Sequence, residues 1–199
     1  FYMEQIFQSQ TLRALILDQS LLAVAQSYLG CQPVLDLVSL WWSVPFGGKG
    51  TSAAAQEFHF DMDRIKFLKI FIYLTDVDTN TGPHCYIKGS HKRKPKALLS
   101  DGRKPDSEIY RHYSDKVTEL DGAKGTIIFA DTRGFHKGKP VVQGHRLIFQ
   151  LEYCNHYFGQ TYPKVSAQNL PDCRQFQQMI EKYPRTYNQI LDSSEELPA

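Results

Sequence analysis

Between Val34 and Tyr153 the sequence falls into short runs of branched and aromatic residues, each closed by turn residues. That punctuation directs the chain toward a β architecture. Val34–Val44, Gln56–Asp61, Phe67–Leu74, Cys85–Ile87, Gly125–Ala130 and Arg146–Tyr153 read as strands. Asp76–Gly82 and Lys88–Ser90 read as turns, and Gly47–Ala55 as a loop of small residues. Strands this short, joined by turns, indicate a double-sheet jelly roll or barrel.

Helical patterns flank this region. From Thr11 to Leu29, Leu17, Leu21, Val24 and Tyr28 recur at spacings of four, three and four, which predicts one helix with those residues on its buried face. Gly30 is a natural left-handed stop, and Pro33 prevents resumption. A second helix is expected from Pro171 to Tyr183, with Phe176, Met179, Ile180 and Tyr183 as its stripe and Pro184 as its end. The polar tail Asp192–Ala199 is expected to fray. The whole reads as one domain of 199 residues, mainly β with flanking helices: a helix at 11–29 packed on the barrel, a core at 34–155 and a helix at 171–183.

Charge excludes some functions. The 23 basic and 21 acidic residues leave a net charge of +2, which gives no support to a nucleic-acid binder. No apolar run has the length of a bilayer span, and no signal-peptide pattern is present. The first residue is Phe1 rather than Met, consistent with residues missing upstream. Cys31, Cys85, Cys154 and Cys173 form no CxxC pair, so reduced thiols in a cytoplasmic protein are expected.

The segment Glu57-Phe58-His59-Phe60-Asp61 carries the chemistry. On a strand, residues two apart share a face, so His59 and Asp61 project together and Phe58 and Phe60 project the other way. An imidazole and a carboxylate so placed can share a metal ion. His136, following the strand Gly125–Ala130, is the candidate third ligand. Two histidines and a carboxylate on one face make the triad of non-haem Fe(II) oxygenases, with positions left open for cosubstrate and oxygen. Asp63 is a rival to Asp61 that would lie farther from His59. Ten residues past His136, Arg146 opens the apolar strand 146–151. An inward cation at the mouth of a β core calls for an anion, and a guanidinium fork fits a carboxylate; 2-oxoglutarate is the natural guest. Gly144, just before, permits the tight turn.

His59-x-Asp61, Tyr73-Leu74-Thr75-Asp76, Gly82, Gly89-Ser90-His91, His136 and Arg146, in that order, resemble the phytanoyl-CoA dioxygenase family of Fe(II)/2-oxoglutarate oxygenases. The resemblance runs from about Tyr28 to Tyr153. It implies a double-stranded β-helix (jelly roll, cupin-like), iron ligands at His59, Asp61 and His136, and a 2-oxoglutarate salt bridge at Arg146. It also implies O2 as a reactant, a small-molecule substrate, and release of succinate and CO2. Two departures stand out. Lys88 takes the place where relatives often have Pro before Gly-Ser-His, and Gly138 the place of a hydroxyl residue that helps hold the cosubstrate, so another donor must assist Arg146. Related halogenases lack the carboxylate that Asp61 supplies, so oxidation is favoured over halogenation.

Other candidates carry two readings each. Lys69 shares a strand face with Phe67, Phe71 and Tyr73; it either holds a cosubstrate or substrate carboxylate or snorkels to water. Tyr73 donates its hydroxyl to the same anion or packs in the core. His84 and Arg133 contact substrate, or are respectively a satisfied core histidine and half of a surface salt bridge. Of Trp41 and Trp42, on opposite faces, one belongs in the core. Lys88–Lys104 carries seven basic residues and one acid: a solvated loop, or a lid that attracts an anionic substrate. Two other classes stay open, a cupin-type metal enzyme without 2-oxoglutarate and a non-catalytic anion-binding module.

Overall fold

The computed structural model describes residues 1–47, 55–100, 102–114, 116–159, 161–166, 170 and 174–192. Three helices open the chain: α1 (Met3–Gln8), α2 (Gln10–Ile16) and α3 (Gln19–Leu29). The single helix expected over 11–29 is therefore two. The break is at Asp18, whose carboxylate accepts hydrogen bonds from the backbone amides of Ser20 and Leu21. A side chain that captures those amides starts a new helix and ends the old one. The buried face of α3 is Leu21, Leu22, Ala25 and Leu29, whereas Val24 is exposed. Gly30 ends α3 in the left-handed region at φ 78°, as expected.

The β region follows: β1 (Val34–Ser43), β2 (Phe67–Tyr73), β3 (His84–Ile87), α4 (Asp106–Tyr113), β4 (Val117–Leu120), β5 (Ile127–Ala130), β6 (His136–Gly138) and β7 (Arg146–Cys154). The chain then runs through β8 (Val165–Ser166), α5 (Arg174–Lys182), α6 (Pro184–Tyr187) and β9 (Leu191–Asp192). Gln56–Asp61, expected as a strand, makes only isolated antiparallel bridges, Phe58 to Lys104 and His59 to His136. Helix α4 and strands β4 and β6 were not foreseen. The expected helix start at Pro171, most of the Gly47–Ala55 loop, Cys173 and the tail beyond Asp192 lie outside the described residues. Pro184 opens α6 at its first turn rather than closing the helical region.

Among the described residues three sheets form, with strand orders β1-β7-β2-β5, β4-β3-β6 and β8-β9. In the second, antiparallel pairing sets Tyr86 opposite His136 and Thr118, and His84 opposite Gly138 and Leu120.

The chain divides into two compact units: Phe1–Leu40 with Asp63–Ile70 and Phe149–Ala199, and Trp41–Met62 with Phe71–Ile148. The second unit has two apolar clusters. One gathers Phe58, Cys85, Ile87, Leu98, Ile109, Tyr113 and Phe135. The other gathers Phe71, Tyr73, Val77, Ile128, Ala130 and Ile148, with Trp41 against it, while Trp42 is exposed. The first unit buries Ile6, Phe7, Ile16, Val34, Phe67 and Cys154. It also buries charge, as Arg64 grips both oxygens of Asp36 at 2.6 and 2.7 Å. Cys31, Cys85 and Cys154 are free thiols. No described helix is long and apolar enough to cross a membrane.

Candidate metal centre

Backbone pairing brings the candidate ligands together. His59 and His136 face each other and exchange both main-chain hydrogen bonds, His59 N to His136 O at 3.0 Å and His136 N to His59 O at 2.8 Å. Directly opposed residues of an antiparallel pair present their side chains to the same face. The Asp61 amide continues the pairing to Thr132 O at 2.8 Å. As a result His59, Asp61 and His136 each offer one ligand atom, and these atoms lie within 4.8 Å of one another. The imidazole rings are 4.3 Å apart.

The hydrogen bonds of the rings decide what the centre can hold. His59 Nδ1 lies 2.9 Å from Glu57 O, and His136 Nδ1 lies 3.0 Å from Gly134 O. A carbonyl only accepts, so each Nδ1 carries the proton and each Nε2 presents a lone pair. Those Nε2 atoms sit 3.5 and 3.4 Å from the two oxygens of Asp61, itself an acceptor. Three converging acceptors repel unless a cation stands among them. The donor set, two nitrogens and a carboxylate oxygen with both imidazoles anchored from behind, fits a divalent transition metal.

The segment bearing His136 is clasped from behind. Tyr86 donates its hydroxyl to Asp131 O at 2.9 Å. Ser90 accepts from the Phe135 amide and donates to Ile87 O, both at 2.8 Å. Gly134 is required in this clasp, since a Cβ there would stand 2.3 Å from the Tyr86 hydroxyl. Ser90 was visible in the sequence only as the middle of Gly89-Ser90-His91; Tyr86 and Gly134 gave no signal of their own.

Arg146 is 6% exposed, and its Nε and Nη1 have no hydrogen-bond partner among the described residues. Its Nη2 donates to Ser43 Oγ at 3.2 Å. Burial lowers its pKa, opposed by Tyr73 and Cys85, yet guanidinium stays charged. A buried cation with two idle donors is costly unless an anion arrives, and the planar fork suits a carboxylate. At Gly138 a Cβ would lie 3.4 Å from Arg146 Nη2, in ordinary van der Waals contact with the guanidinium. Ser43, on β1 and 103 residues away in sequence, is a hydroxyl that sequence reading did not find.

The remaining candidates fall out differently. The His84 ring lies 5.5 Å from that of His136 and 4.7 Å from that of Phe71. Its Nε2 is buried without a described partner, so the expected satisfied core histidine is not what the structure contains. Burial, then His136 and Arg146, holds its pKa well below 6.5, so His84 is neutral. Tyr73 already donates its hydroxyl to Leu120 O at 2.7 Å and accepts from the His84 amide at 3.0 Å, which favours its packing role. Lys69 does not snorkel: it belongs to the first unit and pairs with Asp63 at 2.9 Å and Glu152 at 3.4 Å. The contact with Asp63 satisfies it, against a role in binding cosubstrate, and occupies Asp63 as well. Arg133 pairs with Asp131 at 2.5 Å, the salt bridge weighed against substrate contact.

A family model described as phytanoyl-CoA dioxygenase matches residues 3–146. No curated protein matches the chain. Among solved structures, the non-heme alpha-ketoglutarate-dependent carbocyclase SnoK from nogalamycin biosynthesis is 18% identical with a TM-score of 0.58, over 75% of this chain and 61% of its own. EctD from S. alaskensis with bound Fe is 21% identical with a TM-score of 0.56, over 74% and 54%. HygX from Streptomyces hygroscopicus, with nickel and 2-oxoglutarate bound, is 15% identical with a TM-score of 0.57, over 81% and 72%. The chain thus spans less than two thirds of SnoK and EctD. At these identities the likeness establishes the fold, a mainly antiparallel, cupin-like double-stranded β-helix with flanking helices.

Proposed function

The chain belongs to the phytanoyl-CoA dioxygenase family, and from that premise we propose an Fe(II)- and 2-oxoglutarate-dependent dioxygenase that hydroxylates a small organic substrate, with release of succinate and CO2. The observation that carries this reading is the convergence of His59 Nε2, His136 Nε2 and the Asp61 carboxylate within 4.8 Å. When bound, iron and 2-oxoglutarate supply the oxidant from O2 by oxidative decarboxylation of the cosubstrate.

The protein's own residues supply the rest. His59, Asp61 and His136 would hold the metal, which would supply the site for cosubstrate and oxygen. The Glu57 and Gly134 carbonyls keep the imidazole lone pairs aimed at it. Asp61 would serve as a metal ligand where a halogenase lacks a carboxylate, which supports hydroxylation over halogenation. Arg146, with Nε and Nη1 idle, would hold the distal carboxylate of 2-oxoglutarate. Ser43 holds the guanidinium and takes the part left empty by Gly138. His84, neutral beside His136, presents Nε2 to a polar group of cosubstrate or substrate. Phe71, against the His84 ring, keeps water from that side.

The test is metal-dependent succinate formation from 2-oxoglutarate, together with 2-oxoglutarate affinity measured without oxygen. Loss of a buried charge-assisted contact costs about 3 kcal/mol, so Arg146→Ala should weaken 2-oxoglutarate binding about 100-fold while one equivalent of Fe(II) still binds. Unchanged cosubstrate affinity in that variant would instead support the cupin-type enzyme that needs no 2-oxoglutarate.

A further inference from the structure

The basic segment after β3 is not merely a solvated run. Lys88, Arg93, Lys94 and Lys96, with His112 of α4 and Lys116 beyond it, line a cavity of about 620 Å³. Among the described residues no carboxylate lines it. Among the described residues none of Lys88, Arg93, Lys96 and Lys116 makes a salt bridge. Like charges gathered around one concavity repel each other and focus a positive potential into it, which a multiply charged anion relieves. The volume exceeds that of a single oxyanion and falls in the range of small-ligand sites.

Lys94 shows where this cavity stands relative to the metal ligands. Its ammonium lies 4.6 Å from the centre of the Phe60 ring and 5.8 Å from that of Phe135. Phe60 sits between His59 and Asp61 in sequence, Phe135 precedes His136, and the two rings pack edge to face at 5.4 Å. Tyr113, which also lines the cavity, packs on Phe135 at 6.1 Å. The cavity thus abuts the aromatic backing of the ligand-bearing segments rather than the converging Nε2 and carboxylate atoms.

We propose that this cavity is a second ligand site, separate from the metal centre, that binds a phosphate-bearing anion of at least two negative charges, such as a diphosphate group. The phosphates sit among Lys88, Arg93, Lys96 and Lys116, while Lys94 closes the inner wall.

Pyrophosphate titrated calorimetrically into the full metal-stripped chain tests this, at low and moderate salt. Saturable one-to-one binding is expected, weaker at higher salt. The combined Lys88→Ala, Arg93→Ala and Lys96→Ala variant should lose at least about 10-fold in affinity, a loss of order 1.4 kcal/mol. All three side chains are exposed, so folding is not at stake; Lys116→Ala is a milder companion. Arg146→Ala and His136→Ala should bind pyrophosphate as the parent does. ADP in parallel separates the sources: tighter binding than pyrophosphate points to a nucleotide-borne diphosphate, equal binding to the phosphates alone. The proposal is overturned if binding does not saturate, if the triple variant keeps full affinity, or if Arg146→Ala abolishes it. Tighter, length-dependent binding of single-stranded oligonucleotides would also overturn it, in favour of a nucleic-acid surface.

Discussion

His136 illustrates how one residue divides its atoms between structure and chemistry. Its amide and carbonyl bond to His59, its Nδ1 is committed to Gly134 O, and its Nε2, 3.4 Å from Asp61 Oδ2, is the candidate ligand atom. His136→Ala removes only the last two. It should abolish stoichiometric Fe(II) binding and succinate formation together, while circular dichroism and denaturant midpoint stay close to the parent's. Succinate production surviving in that variant would contradict the proposed triad. Residue identity made the cluster of His59, Asp61 and His136 and the buried Arg146 legible in the sequence, because imidazole, carboxylate and guanidinium groups stand out from an apolar strand pattern. Ser43 and Tyr86 were illegible because their roles are contacts across 103 and 45 residues, and no local spacing encodes such a meeting. Lys69 misled for the same reason. The acids beside it come from Asp63, in the segment before β2, and from Glu152 on β7, which its own strand does not announce.

At the level of elements, periodicity carried far where segments were long. β1, β2 and β7 match the expected strands to within a residue, since seven to ten residues of branched and aromatic side chains leave little ambiguity. Short or polar pieces resisted. β6 is His-Lys-Gly, too brief for a period of two to register. The segment 56–61 alternates as a strand does yet forms isolated bridges at Phe58 and His59 rather than a ladder; even so, its pairing with His136 is what aligns the candidate ligands. The helix break at Asp18 shows a local hydrogen bond overruling an apolar period that runs straight through it. Asp18→Ala should therefore destabilise the protein by about 1 kcal/mol. A denaturant melt would register this as a lower midpoint with unchanged slope, and Asp18→Asn should recover most of the loss.

For the molecule as a whole, buried charge makes stability depend on pH. Glu152 is fully buried, and desolvation raises its pKa from 4.5 to about 8 despite the counteracting ammonium of Lys69. Its carboxyl thus keeps a proton in the folded chain that the unfolded chain releases above 4.5. Where the folded state binds more protons, stability falls as pH rises, here between 4.5 and about 8. Denaturant unfolding across that window should show the decline for the parent, and Glu152→Gln should flatten it. A decline of equal steepness in Glu152→Gln would assign the dependence to other groups. The same economy of buried groups governs the metal-binding segments, where main-chain atoms rather than imidazoles join position 59 to position 136. Every amino acid but proline brings those joining atoms, whereas the proposed reactivity hangs on atoms that one codon change removes. Descendants of such a gene can fall silent in a single step yet inherit a sound scaffold, open to selection for binding alone.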